Sequence, residues 1–358
     1  MSSQMAREIA EQPTAVRATL DSLVPLRGEL RTVAAGRNQV LFVARGSSDN
    51  AAVYGRYLLE THSGVSAALA APSIATHYRR ERDLSSTLVV SLSQSGETAE
   101  IVVTQDWARR CGAATVAITN DPNSALAAAA DLPLVTRAGQ EFAVPATKSY
   151  TTQLTALAVL ATALCPDPEL LDADLFRVPK EIERLLAESA VDDARVLEQA
   201  VSALDQADSI LVTGRGLLLG TALEVALKIE ETCLRPVRGL SYADLRHGPI
   251  AMVGEGLAAV LVAASDGPLR SAITDLAADL ASRGATVVGF GGDEEFRAAC
   301  DVAVPGPELI EALTPLALIV AAQLAVESLA RRLGLDPDAP RGLSKVTQTD
   351  RSHAPTKG

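Results

Sequence analysis

The sequence predicts a duplicated α/β protein, each copy a parallel sheet flanked by helices, and three observations predict it. The chain matches itself at an offset of about 170 residues. Val40-Leu41-Phe42-Val43-Ala44-Arg45-Gly46 corresponds to Ile210-Leu211-Val212-Thr213-Gly214-Arg215-Gly216, and Gly112-Ala113-Ala114-Thr115-Val116-Ala117-Ile118 to Gly284-Ala285-Thr286-Val287-Val288-Gly289-Phe290. A period that long suits duplication of a domain and not a solenoid. Within each copy, short Val, Ile, Leu and Ala runs alternate with helical patterns, the signature of βαβ units. Finally, 48% of the 358 residues are hydrophobic but only 3% aromatic, a balance that favours helices packed on a sheet over a β-sandwich.

Taken in order, Glu8 to Ala34 reads as one or two helices leading into the first copy. Apolar runs at 40–44, 67–70, 87–92, 114–118 and 132–135 supply the five strands of the first sheet. Right-handed crossovers between them put helices on both faces. Pro166, Pro168 and a cluster of Asp mark Cys165 to Arg177 as the linker, followed by a long amphipathic helix through about Ala207. In the second copy the runs at 209–213, 257–263, 286–290 and 301–304 stand out. Pro337 to Gly358, rich in Pro, Asp, Thr and Lys, reads as an ordered or partly ordered arm. The expected division is a helical leader at 1–34, a first domain at 35–165, a linker and helix at 166–207, a second domain at 208–335, and a C-terminal arm at 336–358 that carries Lys345.

A formal net charge of −12 and a pI near 4.9 argue against a nucleic-acid or membrane-surface binder, because the overall field repels both. Any bound phosphate must be held by local donors. Cys111, Cys165, Cys233 and Cys300 are far apart and show no C-x-x-C spacing, so reduced thiols are expected and neither a zinc site nor a disulfide framework. No metal or cofactor is expected. The N-terminus carries charge where a signal peptide would be apolar, no run approaches the length of a membrane span, and a cytoplasmic location follows as the expectation.

The most informative stretch is Ser93-Gln94-Ser95-Gly96-Glu97-Thr98, between the buried run Leu88–Leu92 and a helix beginning at Thr98. A helix N-terminus offers unpaired N–H groups and the positive end of its dipole, and Ser and Thr hydroxyls add donors without bulk. Either this is a phosphate cradle, or it is an ordinary N-cap with serines. The equivalent loop of the second copy, Ala263-Ala264-Ser265-Asp266-Gly267, has lost most hydroxyls and gained an acid that would repel phosphate. One anion site per chain, in the first copy, is the expectation.

Other loops and faces carry candidates with plainer readings beside them. Arg45-Gly46-Ser47-Ser48-Asp49-Asn50 lies at a strand end, where open α/β sheets bind ligands, or is a capped turn. Val144-Pro145-Ala146-Thr147-Lys148-Ser149 precedes an apolar helix, and Lys148 there could equally be a surface residue. Glu224, Lys228 and Glu231 share one helical face, lining a cleft or simply ion-paired. His247, one of four histidines, sits in Asp244-Leu245-Arg246-His247-Gly248-Pro249, where it could carry a proton or stay idle. Lys345 is one of five lysines against 27 arginines, and lysine is what Schiff-base chemistry needs, although tail lysines are usually solvated.

Together, in this order, Ser-Gln-Ser-Gly-Glu-Thr, Ala-Thr-Lys-Ser-Tyr-Thr-Thr-Gln, Leu-Arg-His-Gly-Pro and Leu-Ser-Lys-Val-Thr resemble the tandem sugar-isomerase (SIS) family. The likeness is to the isomerase half of glucosamine-fructose-6-phosphate aminotransferase and to stand-alone glucosamine-6-phosphate deaminases, over nearly the whole chain. It implies two SIS domains, each a five-stranded parallel sheet in an αβα sandwich. It further implies that Ser48, Ser93, Gln94, Ser95 and Thr98 hold a sugar 6-phosphate, with the Val144 region on the sugar hydroxyls. Glu231 would move a proton between C1 and C2, His247 would assist ring opening from the neighbouring subunit of a homodimer, and Lys345 would meet the open-chain carbonyl. Glu224 and Lys228 would support them. The chemistry needs such a set: one carboxylate near both carbons and an electrophilic partner for the carbonyl.

Two departures shape the expected reaction. The chain starts at the pre-domain helix Glu8-Ile9-Ala10-Glu11-Gln12-Pro13 with no glutaminase segment ahead, which favours the degradative direction. After the catalytic helix it reads Pro236-Val237-Arg238-Gly239-Leu240 where the family usually has His-Ala-Glu-Ala-Phe, so Arg238 brings a positive charge toward the site. The expected function is conversion of a hexosamine 6-phosphate to ketose 6-phosphate and ammonia. Dehydration of the N-acetylated sugar phosphate, motivated by Arg238, and deglycation of a sugar-amine phosphate are the enzymatic alternatives. A non-catalytic sugar-phosphate sensor is the alternative of another class; the retained acid, His and Lys weigh against it.

Overall fold

Two uncharged runs, Thr87–Leu92 and Leu257–Ala263, are buried at every position, as a strand covered by helices on both faces must be. Each is the middle strand of a five-stranded parallel sheet in the computed structural model of the chain, which describes residues 2–190 and 194–349. The strands are β1 (Gln39–Val43), β2 (Ser66–Leu69), β3 (Thr87–Leu92), β4 (Ala114–Thr119), β5 (Leu132–Val135), β6 (Ser209–Gly214), β7 (Val237–Ser241), β8 (Leu257–Ala263), β9 (Thr286–Gly291) and β10 (Val302–Val304). The first sheet runs β2-β1-β3-β4-β5 and the second β7-β6-β8-β9-β10. The two orders coincide when β6 is set against β1, as duplication requires.

The chain divides into two units. One holds the first sheet and comprises Ala15–Glu141, Lys148–Asp172 and the arm from Leu343; the other holds the second sheet and comprises the first 14 residues, Phe142–Thr147 and Ala173–Gly342. In the first, Val43, Val89 and Ala117 pack with Ile101, Trp107 and Leu126 on one face of the sheet. In the second, Leu211, Leu261 and Val287 pack with Leu276, Leu280 and Phe296.

Four details differ from the reading of the sequence. Strand β7 was not among the apolar runs, because Arg238 and Gly239 interrupt its pattern and it is an edge strand with only Leu240 buried. The leader is three helices, Gln4–Ala10, Gln12–Leu23 and Arg27–Ala34, parted at Glu11 and at a 3₁₀ turn around Pro25. The expected linker contains a helix, Glu169–Leu175, tied by Asp172 to Arg27 at 2.5 Å. Beyond it the expected long helix is helical over Val178–Ala190 and Ala194–Gln206, and 191–193 between them lie outside the described residues. One run does reach membrane-span length: the Thr314–Arg332 helix is long and apolar enough by composition, but 83% of its apolar window is buried inside its unit. That burial identifies a core helix.

Candidate active site

Strand β3 delivers the hexamer to the helix Ala99–Arg110, and a glycine makes the turn possible. Gly96 has φ +66, a conformation that costs a side-chain-bearing residue about 1–2 kcal/mol, and an added Cβ would overlap the side chain of Ser124. Its N–H donates to the carbonyl and the hydroxyl of Ser93, both at 3.2 Å. The Ser95 hydroxyl accepts from Glu97 N–H at 3.2 Å, and the Ser93 and Thr98 hydroxyls face each other at 3.4 Å. Thr98 occupies the N-cap position yet makes no side-chain capping bond. The plain N-cap reading therefore does not describe it, and its hydroxyl stays with Ser93.

A second turn is built alike. Gly46, at φ +57, starts the helix Ser47–Leu58, placing Ser48 in its first turn. Ser48, Ser93, Gln94, Ser95 and Thr98 line one pocket of about 380 Å³ together with Arg45, Leu92, Ile101 and the arm residues Lys345, Val346 and Thr347. The structure thus brings together five of the residues expected on a phosphate and the lysine expected at the carbonyl.

The arm is pinned to this unit by polar contacts. Gln348 Oε1 accepts from the Ala99 N–H at 3.1 Å while its Nε2 donates to the Glu97 carbonyl at 3.1 Å, so a side chain from the arm caps the helix. Lys345 is not a solvated tail lysine: Nζ donates to Glu141 Oε2 at 2.6 Å, and its side chain is 24% exposed. Glu141 is fully enclosed and also accepts from the Ser149 N–H at 3.0 Å and hydroxyl at 2.6 Å. Burial pushes its carboxyl up, but the Lys345 ammonium and these hydrogen bonds outweigh burial and hold it below the ordinary carboxylate value. Lys148 is likewise buried, and donates to the Gln140 carbonyl at 2.6 Å. A neighbouring polar hollow shares Gln94 and Ser95 with the first pocket and extends along Asn120, Arg137 and Gly139 to Glu141.

The other unit holds the acid–base candidates. On the helix Leu219–Cys233, Lys228 Nζ lies 3.6 Å from Glu224 Oε1 and is hydrogen-bonded to Glu231 Oε2. Glu224 and Lys228 are completely buried whereas the Glu231 side chain is 24% exposed. One carboxylate of the stripe therefore reaches solvent, backed by a buried lysine. Burial and the Glu231 charge together raise the carboxyl of its neighbour Glu230. His247 is exposed at the end of the short helix Tyr242–Arg246, next to Gly248 with φ +126. Val144 also belongs to this unit, its N–H donating to the Asp338 carbonyl at 2.8 Å.

Arg238 does not stand where the sequence reading put it. On β7 a Cβ at Gly239 would lie 2.8 Å from Ala226 Cβ, so Gly239 faces the helix that carries Glu231. Alternation along a strand then turns the exposed Arg238 to the opposite face of the sheet. Reading the sequence also missed Glu141, whose partner is 204 residues away, and the pairing of Arg45 with Glu100 at 3.0 Å. Among the described residues no three His, Cys, Asp or Glu cluster as a metal site would require.

A parallel α/β domain present twice, with hydroxyls and helix N-termini converging at the strand ends of one copy, defines a two-domain protein with a hydroxyl-lined pocket in its first domain. The chain belongs to the SIS domain family, whose model matches residues 35–163 and 203–324. It is 36% identical over 357 residues to the isomerizing glutamine–fructose-6-phosphate aminotransferase of Thermococcus kodakarensis, a match covering 95% of this chain and 57% of that protein. The chain thus spans little more than half the length of such relatives. Among solved structures, a proposed phosphosugar isomerase of Silicibacter pomeroyi is 32% identical with a TM-score of 0.83, covering 94% of this chain and all of that one. A glucosamine-6-phosphate deaminase of Thermotoga maritima is 25% identical with a TM-score of 0.75, covering 97% and 100%.

Proposed function

We propose that the chain is an enzyme that converts a 2-amino-2-deoxyhexose 6-phosphate, through a proton shift between C2 and C1, into the ketose 6-phosphate and ammonia. The observation that carries this reading is the single pocket in which the hydroxyl row of Ser48, Ser93, Ser95 and Thr98 meets Lys345. The row suits the 6-phosphate. Lys345, ion-paired with Glu141 at the pocket wall, suits the carbonyl oxygen of the open-chain sugar, where negative charge develops as the C2 proton leaves. Glu231, the one exposed carboxylate of its stripe, takes that proton and returns it to C1. The resulting C2 imine adds water and expels ammonia, which balances the reaction. Lys228 orients Glu231, and Glu224 holds Lys228.

His247 is assigned to ring opening in the site of a second copy of the chain, for which its exposure leaves it available. Relatives named as aminotransferases and as a deaminase support the amino-sugar class. The dehydration alternative loses its motive with Arg238 turned to the other face of the sheet. The test is incubation with glucosamine 6-phosphate, assaying ammonia and fructose 6-phosphate. Glu231→Gln is expected to lower kcat by about 10²- to 10⁴-fold. No turnover by the folded wild type, or a Glu231→Gln variant as active as wild type, overturns the reading.

A further inference from the structure

We infer that Arg45 is a phosphate ligand of this pocket, the one full positive charge that makes a row of neutral hydroxyls select a dianion, with Glu100 holding its guanidinium in place. The inference rests on the reading of the pocket as the phosphate site. Arg45 directly precedes Gly46 and lines the pocket beside Ser48, Ser93, Ser95 and Thr98. Its Nε and Nη2 donate to the two oxygens of Glu100, each at 3.0 Å. A two-point bond of this kind fixes the plane of a guanidinium. Glu100 is only 8% exposed, lies in the first turn of the helix Ala99–Arg110, and accepts a second bond from the Thr349 hydroxyl at 2.9 Å. The carboxylate is therefore anchored, and the arginine is anchored to it. The Nη1 edge keeps a single long contact, 3.4 Å to the Ala44 carbonyl, and the side chain is 44% exposed.

The charges around the pocket require such a cation. Ser, Thr and Gln side chains carry none, Lys345 is committed to Glu141, and the carboxylates of Glu100 and Asp49 both act on Arg45. A phosphate monoester carries a charge of about −1.5 to −2 near pH 7, and it would approach a chain of net charge −12. Paired with Arg45, Glu100 is neutralised, and the free guanidinium edge presents N–H groups in the fork that phosphate oxygens accept. The competing account is that Arg45 only cancels Glu100 and never touches the ligand.

The two accounts separate in a titration of the full chain with inorganic phosphate by calorimetry at fixed ionic strength, each variant first checked for native circular dichroism. Wild type binds; Arg45→Met is expected to bind about 10- to 100-fold more weakly. Arg45→Lys falls between, because a point charge lacks the fork. Arg45→Met/Glu100→Gln, which leaves no unpaired buried carboxylate, is expected to stay as weak as Arg45→Met. Recovery of wild-type affinity in that double variant, or undiminished binding by Arg45→Met, overturns the inference while leaving the pocket as the phosphate site. Failure of the wild type to bind either phosphate or glucosamine 6-phosphate removes the phosphate site itself, and the inference with it.

Discussion

Replacing Lys345 by Met tests the link between the arm and the pocket. Glu141 would keep its two bonds from Ser149 but lose the Lys345 ammonium, leaving an enclosed carboxylate with less charge compensation. Breaking a buried ion pair on one side costs about 3–5 kcal/mol; with Lys345 a quarter exposed, the low end, about 3 kcal/mol, applies. In the wild type the Glu141 carboxyl lies below its ordinary 4.5. Such a group stabilises the fold above its unfolded value, and that contribution is lost as the pH falls through its folded value. In Lys345→Met the Lys345 attraction is gone while burial and the Ser149 bonds remain, so the carboxyl moves up and is neutralised at milder acidity than in the wild type. The defect is therefore expected to be largest at pH 8 and to shrink toward pH 5. Urea unfolding followed by circular dichroism reads it as a midpoint lowered by about 1 M at pH 8. Lys345→Met/Glu141→Gln should recover most of the loss. A defect below about 0.5 kcal/mol at pH 8, or one of equal size at both pH values, refutes the coupling, since a lost surface pair costs only about that much.

Gly96→Ala forces a Cβ into Ser124 at a positive φ, and should weaken phosphate binding at least tenfold and lower stability by about 1–3 kcal/mol; wild-type affinity in calorimetry would show that the turn does not shape the cradle. Glu231→Gln and His247→Ala chains, each inactive alone, should regain part of the wild-type rate when unfolded together and refolded as a mixture, because a mixed dimer carries one intact site; no regain at any mixing ratio would place His247 in its own chain's site.

What the sequence makes legible follows the range of the interactions involved. β3 and β8 are read directly, because a strand buried on both faces must be an uninterrupted apolar run. The hydroxyl-lined turn after β3 is read directly too, since its glycine, its hydroxyls and the helix they open all lie within six residues. β7 is illegible because an edge strand can carry Arg238 and Gly239 without exposing a core. The direction of Arg238 depends on which face of β7 meets Ala226, a tertiary contact. Glu141 and Lys345 give no local signal of their pairing: one is an isolated acid before Phe142, the other a lysine in a polar arm. Glu100 is by sequence one acid in the first turn of a helix, and its pairing with Arg45 is a contact 55 residues apart that no local pattern announces.

The two copies keep the same backbone and differ in what hangs from it. Gly46 and Gly216 have φ near +60, and Gly96 and Gly267 are both in the left-handed region, so the turns at the strand ends are preserved in both sheets. In the second copy, however, the corresponding pocket is walled by Asp266 and Glu311. Burial raises the carboxyl of Asp266, the charge of Asp174 adding to it against two backbone hydrogen bonds. Burial and then the Asp266 charge raise that of Glu311. Glu311 thus resists ionisation beside Asp266, and an entering phosphate would bring more negative charge into the same space. Arg215, the equivalent of Arg45, lines that pocket beside them, as does Arg270, but among the described residues its lining has no Ser or Thr. The second copy is the one that carries Glu224, Lys228 and Glu231 on its first α-helix after β6 and His247 after β7. On the proposed function, duplication has been followed by a division of chemistry, anion recognition in one domain and proton transfer in the other.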